Sequence, residues 1–164
     1  MDIMRIIKTR RSVRKFKKGK ISEDLIKNIL ESARFAPSGL NNQPWKFLVL
    51  EDNRKNDLAQ FTHYSSIIKG ADKLILVFLN KDSSYNRDKD LMAIGASIEN
   101  MLLYIHAHNL GACWLGEIIN KKEAIHRFLN TPSYLELMAV VAVGVPSYIP
   151  KRTKRKPLSK IILT

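Results

Sequence analysis

Cys113 is the only cysteine in the 164-residue chain. That excludes an intrachain disulfide and a metal cage built from thiolates. Glycine is also sparse, with seven residues. None of them forms a G-x-G-x-x-G after a strand or a G-x-x-x-x-G-K-[ST], so neither a Rossmann dinucleotide unit nor a P-loop is supported. His63, His106, His108 and His126 make no H-E-x-x-H. His106 and His108 are two apart on a helix, point to different faces, and read as structural or surface residues. The longest apolar runs, residues 138–145 and 74–79, fall far short of a membrane span. Met1-Asp2-Ile3-Met4-Arg5 carries no leader-type apolar core, and the expectation is a cytoplasmic protein. No Ser/His/Asp set is defensible from spacing. Cys113, between Ala112 and Trp114, reads as a buried small hydrophobe rather than a nucleophile. No catalytic side chain and no metal site is expected, and a cofactor that carries the chemistry would account for that.

Acidic side chains are few. Fifteen Asp and Glu stand against 28 Lys and Arg, for a net charge of +13. The excess lies at two ends, residues 5–20 and 151–160. Two basic ends attract phosphate groups or polyanions; the plainer reading is a solvated surface. A basic nucleic-acid-binding module is the rival class. It is disfavoured, because the basic ends lack interleaved aromatics and no helix-turn-helix or zinc pattern appears. Apolar residues make up 45% and charged residues 26%, which is a globular composition. The length suits one domain, residues 1–164.

Ile3, Ile6 and Ile7 at helical spacing predict a helix over residues 2–9. Ser22 is placed as an N-cap, with Glu23 and Asp24 complementing the dipole. Leu25, Ile26, Ile29, Leu30 and Ala33 then form the apolar face of a helix that stops near Ala36, before Pro37. Residues 45–50 and 74–79 read as strands. Residues 88–108 read as a long helix, with Leu91, Ile94, Ile98, Met101, Leu102 and Ile105 in one stripe. Met92, Ala93, Ala96, Leu103 and Tyr104 make most of its remaining surface apolar, which points to burial on several sides and to a subunit interface. Residues 111–115 form a short strand or turn. Asn120 with Glu123 predicts a capped helix to Leu129, and residues 138–145 a central strand. Two helices before the first strand argue for an α+β or layered α/β sandwich.

Three segments carry chemistry. Thr9-Arg10-Arg11-Ser12-Val13-Arg14-Lys15-Phe16 offers guanidinium forks and a hydroxyl to a phosphate monoester. Ala36-Pro37-Ser38-Gly39-Leu40-Asn41-Asn42-Gln43-Pro44-Trp45 is a proline-bounded loop that can hydrogen-bond the edge of a planar heterocycle. Its plainer reading is a helix-to-strand turn. In Gly111-Ala112-Cys113-Trp114-Leu115-Gly116-Glu117, glycine at 116 admits close approach of a ligand to the backbone, against an ordinary connection.

In this order the segments R-R-S-x-R-x-F, P-S-x-x-N-x-Q-P-W and G-x-x-W-L-G, with a closing R-K-P-L, resemble the nitroreductase family over residues 5–160. The resemblance implies a nitroreductase-like layered α+β sandwich, with a central mixed or antiparallel sheet flanked by helices, and an intertwined homodimer binding FMN in two interface clefts. It implies that Arg10, Arg11 and Ser12 hold the phosphate and ribityl chain, with Arg14 near the pyrimidine side of the ring. Pro37, Ser38, Gly39, Asn41 and Gln43 would lie on the flavin from the partner subunit. Leu115, Gly116 and Glu117 would bring backbone amides to the N5 edge, and Arg155 would complete the phosphate site. Thr153 departs from the basic residue common there, so Lys154 or Lys156 would stand in. Leu158, Ile161 and Ile162 would anchor the tail on a sheet, the partner's included. The implied activity is ping-pong reduction of nitroaromatics, quinones or similar small electron acceptors with NADH or NADPH. Other FMN chemistry on the same scaffold, such as a dehalogenase, oxidase or flavin-modifying enzyme, is the alternative. The family's extra pocket-covering helical segment has only residues 51–73 available here.

Overall fold

The computed structural model describes residues 2–163. Helix α1 (Ile3–Thr9) is capped by Asp2, which accepts from the amides of Met4 and Arg5. A short strand β1 (Phe16–Lys17) follows. In α2 (Glu23–Arg34) the Ser22 hydroxyl accepts from the Leu25 amide as the sequence requires, and the helix stops two residues before Ala36. Strands β2 (Trp45–Leu50), β3 (Lys73–Asn80), β4 (Gly111–Leu115) and β5 (Leu135–Pro146) complete a sheet whose strand pairings are all antiparallel. Strand β5 pairs with β3, β4 and β1, and β2 pairs with β3.

Along β3 the side chains alternate between the two layers, as strand geometry demands. Ile75, Val77 and Leu79 pack with α2 and with α5 (Arg87–Ala107), through Ile29, Ile98, Met101 and Ile105. Leu74, Leu76 and Phe78 pack on the other face. There they meet Leu58 of α3 (Asp52–Leu58), Ile67 and Ile68 of α4 (Ser65–Gly70), and Ile125 of α6 (Lys122–Leu129). Because both faces are covered, β3 appears in the sequence as one unbroken apolar run.

Three local differences from the sequence reading have physical causes. Residues 51–73 form two helices, α3 and α4, beneath the sheet. Their polar exteriors hide the pattern, and the Lys55 ammonium bonds them together by donating to the carbonyls of Ile68, Lys69 and Ala71 at 3.3, 3.0 and 2.6 Å. It thereby satisfies carbonyls left open at the end of α4. Burial lowers its pKa, against the pull of Asp72 and Asp52. The expected Asn120–Glu123 cap does not form. Asn120 lies in a 3-10 turn (Glu117–Lys121) that buries Ile118, and α6 starts from Lys121 without a side-chain cap. Ile98 and Leu102 belong to the chain's own core. The uncovered face of α5 instead carries Met92, which is 67% exposed, and Gly95, beside which an added Cβ would meet nothing within 4 Å.

Residues 151–163 are exposed throughout, including Leu158, Ile161, Ile162 and Leu163. No helix among the described residues is long and apolar enough to cross a membrane.

Candidate functional site

The basic segment after α1 lies against β4. The Val13 amide donates to the Ala112 carbonyl at 2.8 Å, and Ser12 and Ala112 form a parallel bridge. This joins the first and third motif segments, which are about a hundred residues apart in the chain. Thr9 anchors the same segment to the C-terminal end of α5. Its hydroxyl donates to the Arg5 carbonyl at 2.7 Å and lies 2.8 Å from His106 Nε2. With the hydroxyl proton committed to Arg5, the imidazole must donate through Nε2. Burial lowers the His106 pKa, and the charges of Arg10 and Arg11 lower it further.

The arginines differ in their commitments. Arg10 Nε lies 3.7 Å from Glu99 Oε1, with the arginine side chain 18% exposed. Arg11 donates to the carbonyls of Lys8 and Arg10 at 2.9 and 2.6 Å, closing the end of α1. Arg14 is exposed and forms no hydrogen bond or ion pair among the described residues. It lines a cleft with Lys15, Phe16, Tyr64, Ile67 and Tyr148. Beneath it, burial pushes the Cys113 thiol up in pKa, with Arg14 opposing. Cys113 is therefore an inert core residue, as its apolar neighbours imply.

Residues 37–44 lie at the opposite end of α5. Asn42 Nδ2 donates to Asp90 Oδ1 at 2.7 Å and to the Ser83 carbonyl at 3.0 Å. Asp90 also accepts from the Ser84 hydroxyl at 2.6 Å. Burial raises the Asp90 pKa, but the bonds from Ser84, Asn42 and the local backbone outweigh it, and the carboxyl titrates below its ordinary range. Inside the loop the Gln43 amide donates to Ser38 Oγ at 3.0 Å. Leu40, Asn41 and Gln43 all have positive φ, at 53, 53 and 47°. Non-glycine residues adopt that region at a cost and mostly where the surroundings enforce it. Pro37, Leu40, Asn41 and Gln43 face outwards, and Gly39 is held against the Tyr85 hydroxyl, where a Cβ has no room.

Beyond β4, Leu115 is buried and Gly116 is exposed. Gly116 has a φ of −86°, and an added Cβ there would meet only Trp114 Nε1, at 3.9 Å. Neither its conformation nor the chain's own packing requires glycine. Glu117 accepts from the Thr62 hydroxyl at 2.6 Å. The Thr62–Glu117 contact spans 55 residues, and no short-range sequence pattern marks Thr62 or Tyr64. Arg155 stands exposed on the tail beside Arg152 and Lys154, away from the other site residues. The structure thus pairs Ser12 and Val13 with Ala112 on β4, the strand that leads to residues 115–117. It leaves residues 37–43 and Arg155 apart from them. No group of histidine, cysteine or acidic side chains suited to a metal occurs among the described residues.

The architecture is an α+β sandwich with a cationic cleft at one end of its long helix. Nitroreductase is the family whose model matches residues 7–63 and 59–145, and the chain belongs to the nitroreductase family. A Methanothermobacter thermautotrophicus protein provisionally named NADH dehydrogenase/NAD(P)H nitroreductase is 32% identical over 155 residues, covering 92% of this chain and 80% of that protein. The iodotyrosine deiodinase of Thermotoga neapolitana is 32% identical over 168 residues, covering 86% of this chain and 87% of that protein. A Desulfovibrio desulfuricans protein provisionally described as a nitroreductase, with a crystal structure in complex with FMN, superposes with a TM-score of 0.96 at 41% identity, covering 100% of this chain and 96% of the other. The family resemblance read from the motifs is borne out.

Proposed function

We propose that the chain is an FMN-dependent oxidoreductase that takes electrons from NADH or NADPH and passes them to small electron-poor acceptors, nitroaromatics and quinones among them. The observation that carries this reading is the pairing of Ser12 and Val13 with Ala112, which ties the arginine segment to β4, the strand that runs on to Gly116, and leaves Arg14 lining the open cleft. The residues fit the cofactor. Arg14 is a cation without a protein partner among the described residues, Gly116 is a glycine that the chain's own packing does not require, and residues 38–43 form a strained loop braced from behind by Asp90. The FMN bound to the Desulfovibrio desulfuricans protein supports the same assignment.

Arg10, Arg11 and Ser12 serve the phosphate and ribityl chain in this reading, and Arg14 faces the pyrimidine side of the ring. Leu115, Gly116 and Glu117 present backbone to the N5 edge. A flavin held by these residues would supply hydride-transfer chemistry between a nicotinamide and an electron-poor acceptor. The protein binds, orients and tunes by charge.

The active species is a homodimer. Asn42 meets Asp90 and Thr9 meets His106, and these points on α5 are about 24 Å apart at a rise of ~1.5 Å per residue. One subunit cannot close both segments on one ligand. A second copy, packed along Met92, Gly95, Ala96 and Leu103, brings its own residues 37–43 to the first copy's arginines, and its tail with Arg155 to the phosphate. The cellular site proposed is the cytoplasm.

A second reading, reductive dehalogenation of a phenolic substrate, is favoured by the 32% identity to iodotyrosine deiodinase. Both readings predict a yellow protein with a flavin absorption band. Anaerobic turnover with a nitroaromatic against an iodinated phenol, each with NADH and NADPH, separates them. A colourless protein that takes up no added FMN would overturn both.

A further inference from the structure

The loop after the 3-10 turn Ala59–Phe61 is tied to the turn after β4 by one hydroxyl. Thr62 Oγ1 donates to Glu117 Oε2 at 2.6 Å and accepts from the Tyr64 amide at 3.1 Å. Both roles of the hydroxyl are filled, one towards Tyr64 in the cleft and one towards the turn after β4. Tyr64 lines that cleft opposite Arg14 and Phe16, and Glu117 opens the turn that begins beside exposed Gly116. His63 Nε2 stands 4.0 Å from the other carboxylate oxygen, with its side chain 94% exposed, so it screens the carboxylate without fixing it. Behind Thr62, the Phe61 ring packs on Phe128 of α6 at 5.4 Å between centroids. Ile118, next to Glu117, is fully buried. The two backbone segments are therefore braced at their backs, and among the described residues Thr62 supplies the side-chain hydrogen bond that links them, with His63 only at the edge of ion-pair range.

We propose that Thr62 is a positioning residue for the flavin ring. Its bond to Glu117 fixes the Gly116–Glu117 backbone relative to Tyr64, and so fixes the two surfaces between which the ring end is held. The proposal rests on the FMN reading above. A hydrogen bond to a carboxylate is among the stronger single contacts in a protein. Without it the carboxylate loses a neutral donor and Tyr64 loses its turn, and nothing else on the cleft side replaces either.

The position predicts a signature unlike that of the arginines. Thr62 acts at the ring end, which FMN and riboflavin share, and not at the phosphate. Thr62→Val should weaken FMN and riboflavin equally, by about tenfold each. Thr62→Ser keeps the hydroxyl and should return both affinities to within about twofold of the unaltered protein. Glu117→Gln keeps an acceptor for Thr62 without the charge and should lose about threefold for both flavins. Dissociation constants come from fluorescence titration of the purified full chain, with thermal midpoints measured alongside. Unchanged flavin affinity in Thr62→Val, or a serine variant as weak as the valine variant, would overturn the positioning role while leaving the cofactor reading in place. Should the valine variant fail to fold, the serine and Glu117→Gln variants decide the matter by the same criteria. An unaltered protein that binds neither flavin would instead remove the cofactor reading and this role with it.

Discussion

The two ends of α5 are built in opposite ways, and on the FMN reading proposed above each suits a different part of the ligand. At the N-terminal end, residues 37–44 are locked from behind. Asp90 is fully buried and accepts from Asn42, Ser84 and the Asn86 amide, and the loop in front holds Leu40, Asn41 and Gln43 at positive φ. At the C-terminal end, cations stand forward with few partners. Arg14 has none among the described residues, and Arg10 has only Glu99, at 3.7 Å. One end is a rigid shape and the other an electric field. A planar ring calls for the first, because shape must be set before binding if ordering is not to consume affinity. A phosphate calls for the second, because charge acts without close fit.

The largest effect that tests the contrast is at Asp90. Asp90→Ala removes the acceptor of the Ser84 hydroxyl and one of the two acceptors of the Asn42 amide, in a half-buried site where Asn42 Oδ1 already has no partner among the described residues. The expected loss is about 3 kcal/mol, or roughly 6–12 °C in thermal midpoint for a chain of this size, with flavin lost as well. A loss below about 1 kcal/mol in denaturant unfolding would mean that the loop holds its shape without this brace.

Next comes the surface proposed to bring the two ends together between copies. Gly95→Glu introduces a charge where the subunit's own atoms are absent within 4 Å, so the chain should fold. A charge inside an apolar contact is costly, and the dimer should weaken by at least about a hundredfold. The variant should run as a monomer by light scattering and bind no flavin. Ile98→Asp makes the useful contrast. Ile98 is fully buried in the chain's own core, so that change should unfold the subunit itself. A Gly95→Glu dimer that keeps its flavin would show that α5 does not form the interface.

These contrasts also show what could be read before the structure was known. Elements with a local cause were legible: the Ser22 cap, the unbroken apolar run of β3 and the stripe of α5. The three motif segments were legible too, because turn chemistry and clustered guanidinium groups are local. Contacts across the chain were not. Lys55 ties α3 to α4 by reaching three carbonyls, and nothing in Asp52–Leu58 announces a buried lysine. The Thr62–Glu117 bond joins two loops 55 residues apart. Asn120 and Glu123 had the spacing of a capping box, but burial of Ile118 set the path of the backbone there and overrode the local signal.

Arg10 sharpens the electrostatic side. Arg10→Ala removes a guanidinium that is 18% exposed. A charge-assisted bond of about 1.5–3 kcal/mol converts to a loss of about tenfold to a hundredfold for FMN. Riboflavin, which lacks the phosphate, should lose little. Equal losses would make Arg10 a structural partner of Glu99 and no part of a phosphate clamp.

The smallest effect separates the two ends by pH. At the N-terminal end, Glu136 accepts from Arg87 at 2.8 Å and from Lys122 at 2.7 Å. The bond from Arg87, helped by Lys122 against the cost of burial, lowers its pKa from 4.5 to about 2. The folded state binds this proton less readily than the unfolded one, so the stability Glu136 contributes is complete above pH 4.5 and is lost as pH falls towards about 2. At the C-terminal end the same sign applies higher on the scale. Burial, with Arg10 and Arg11, holds the His106 pKa below 6.5, so the unfolded chain takes up that proton first and stability begins to fall as pH drops below 6.5. Acidification should therefore loosen the arginine end first. The Val13 amide, bonded to Ala112 at 2.8 Å, reports on that end by hydrogen exchange, and the Gln43 amide, bonded to Ser38 at 3.0 Å, on the other. Between pH 6.5 and 5 the protection of Val13 should decline by about twofold to fivefold relative to Gln43, after correction for the intrinsic exchange rate. His106→Gln, which keeps a donor for Thr9 and does not titrate, should make the two amides track one another. Parallel decline of both amides in the unaltered protein would mean that His106 does not set the acid response of this end.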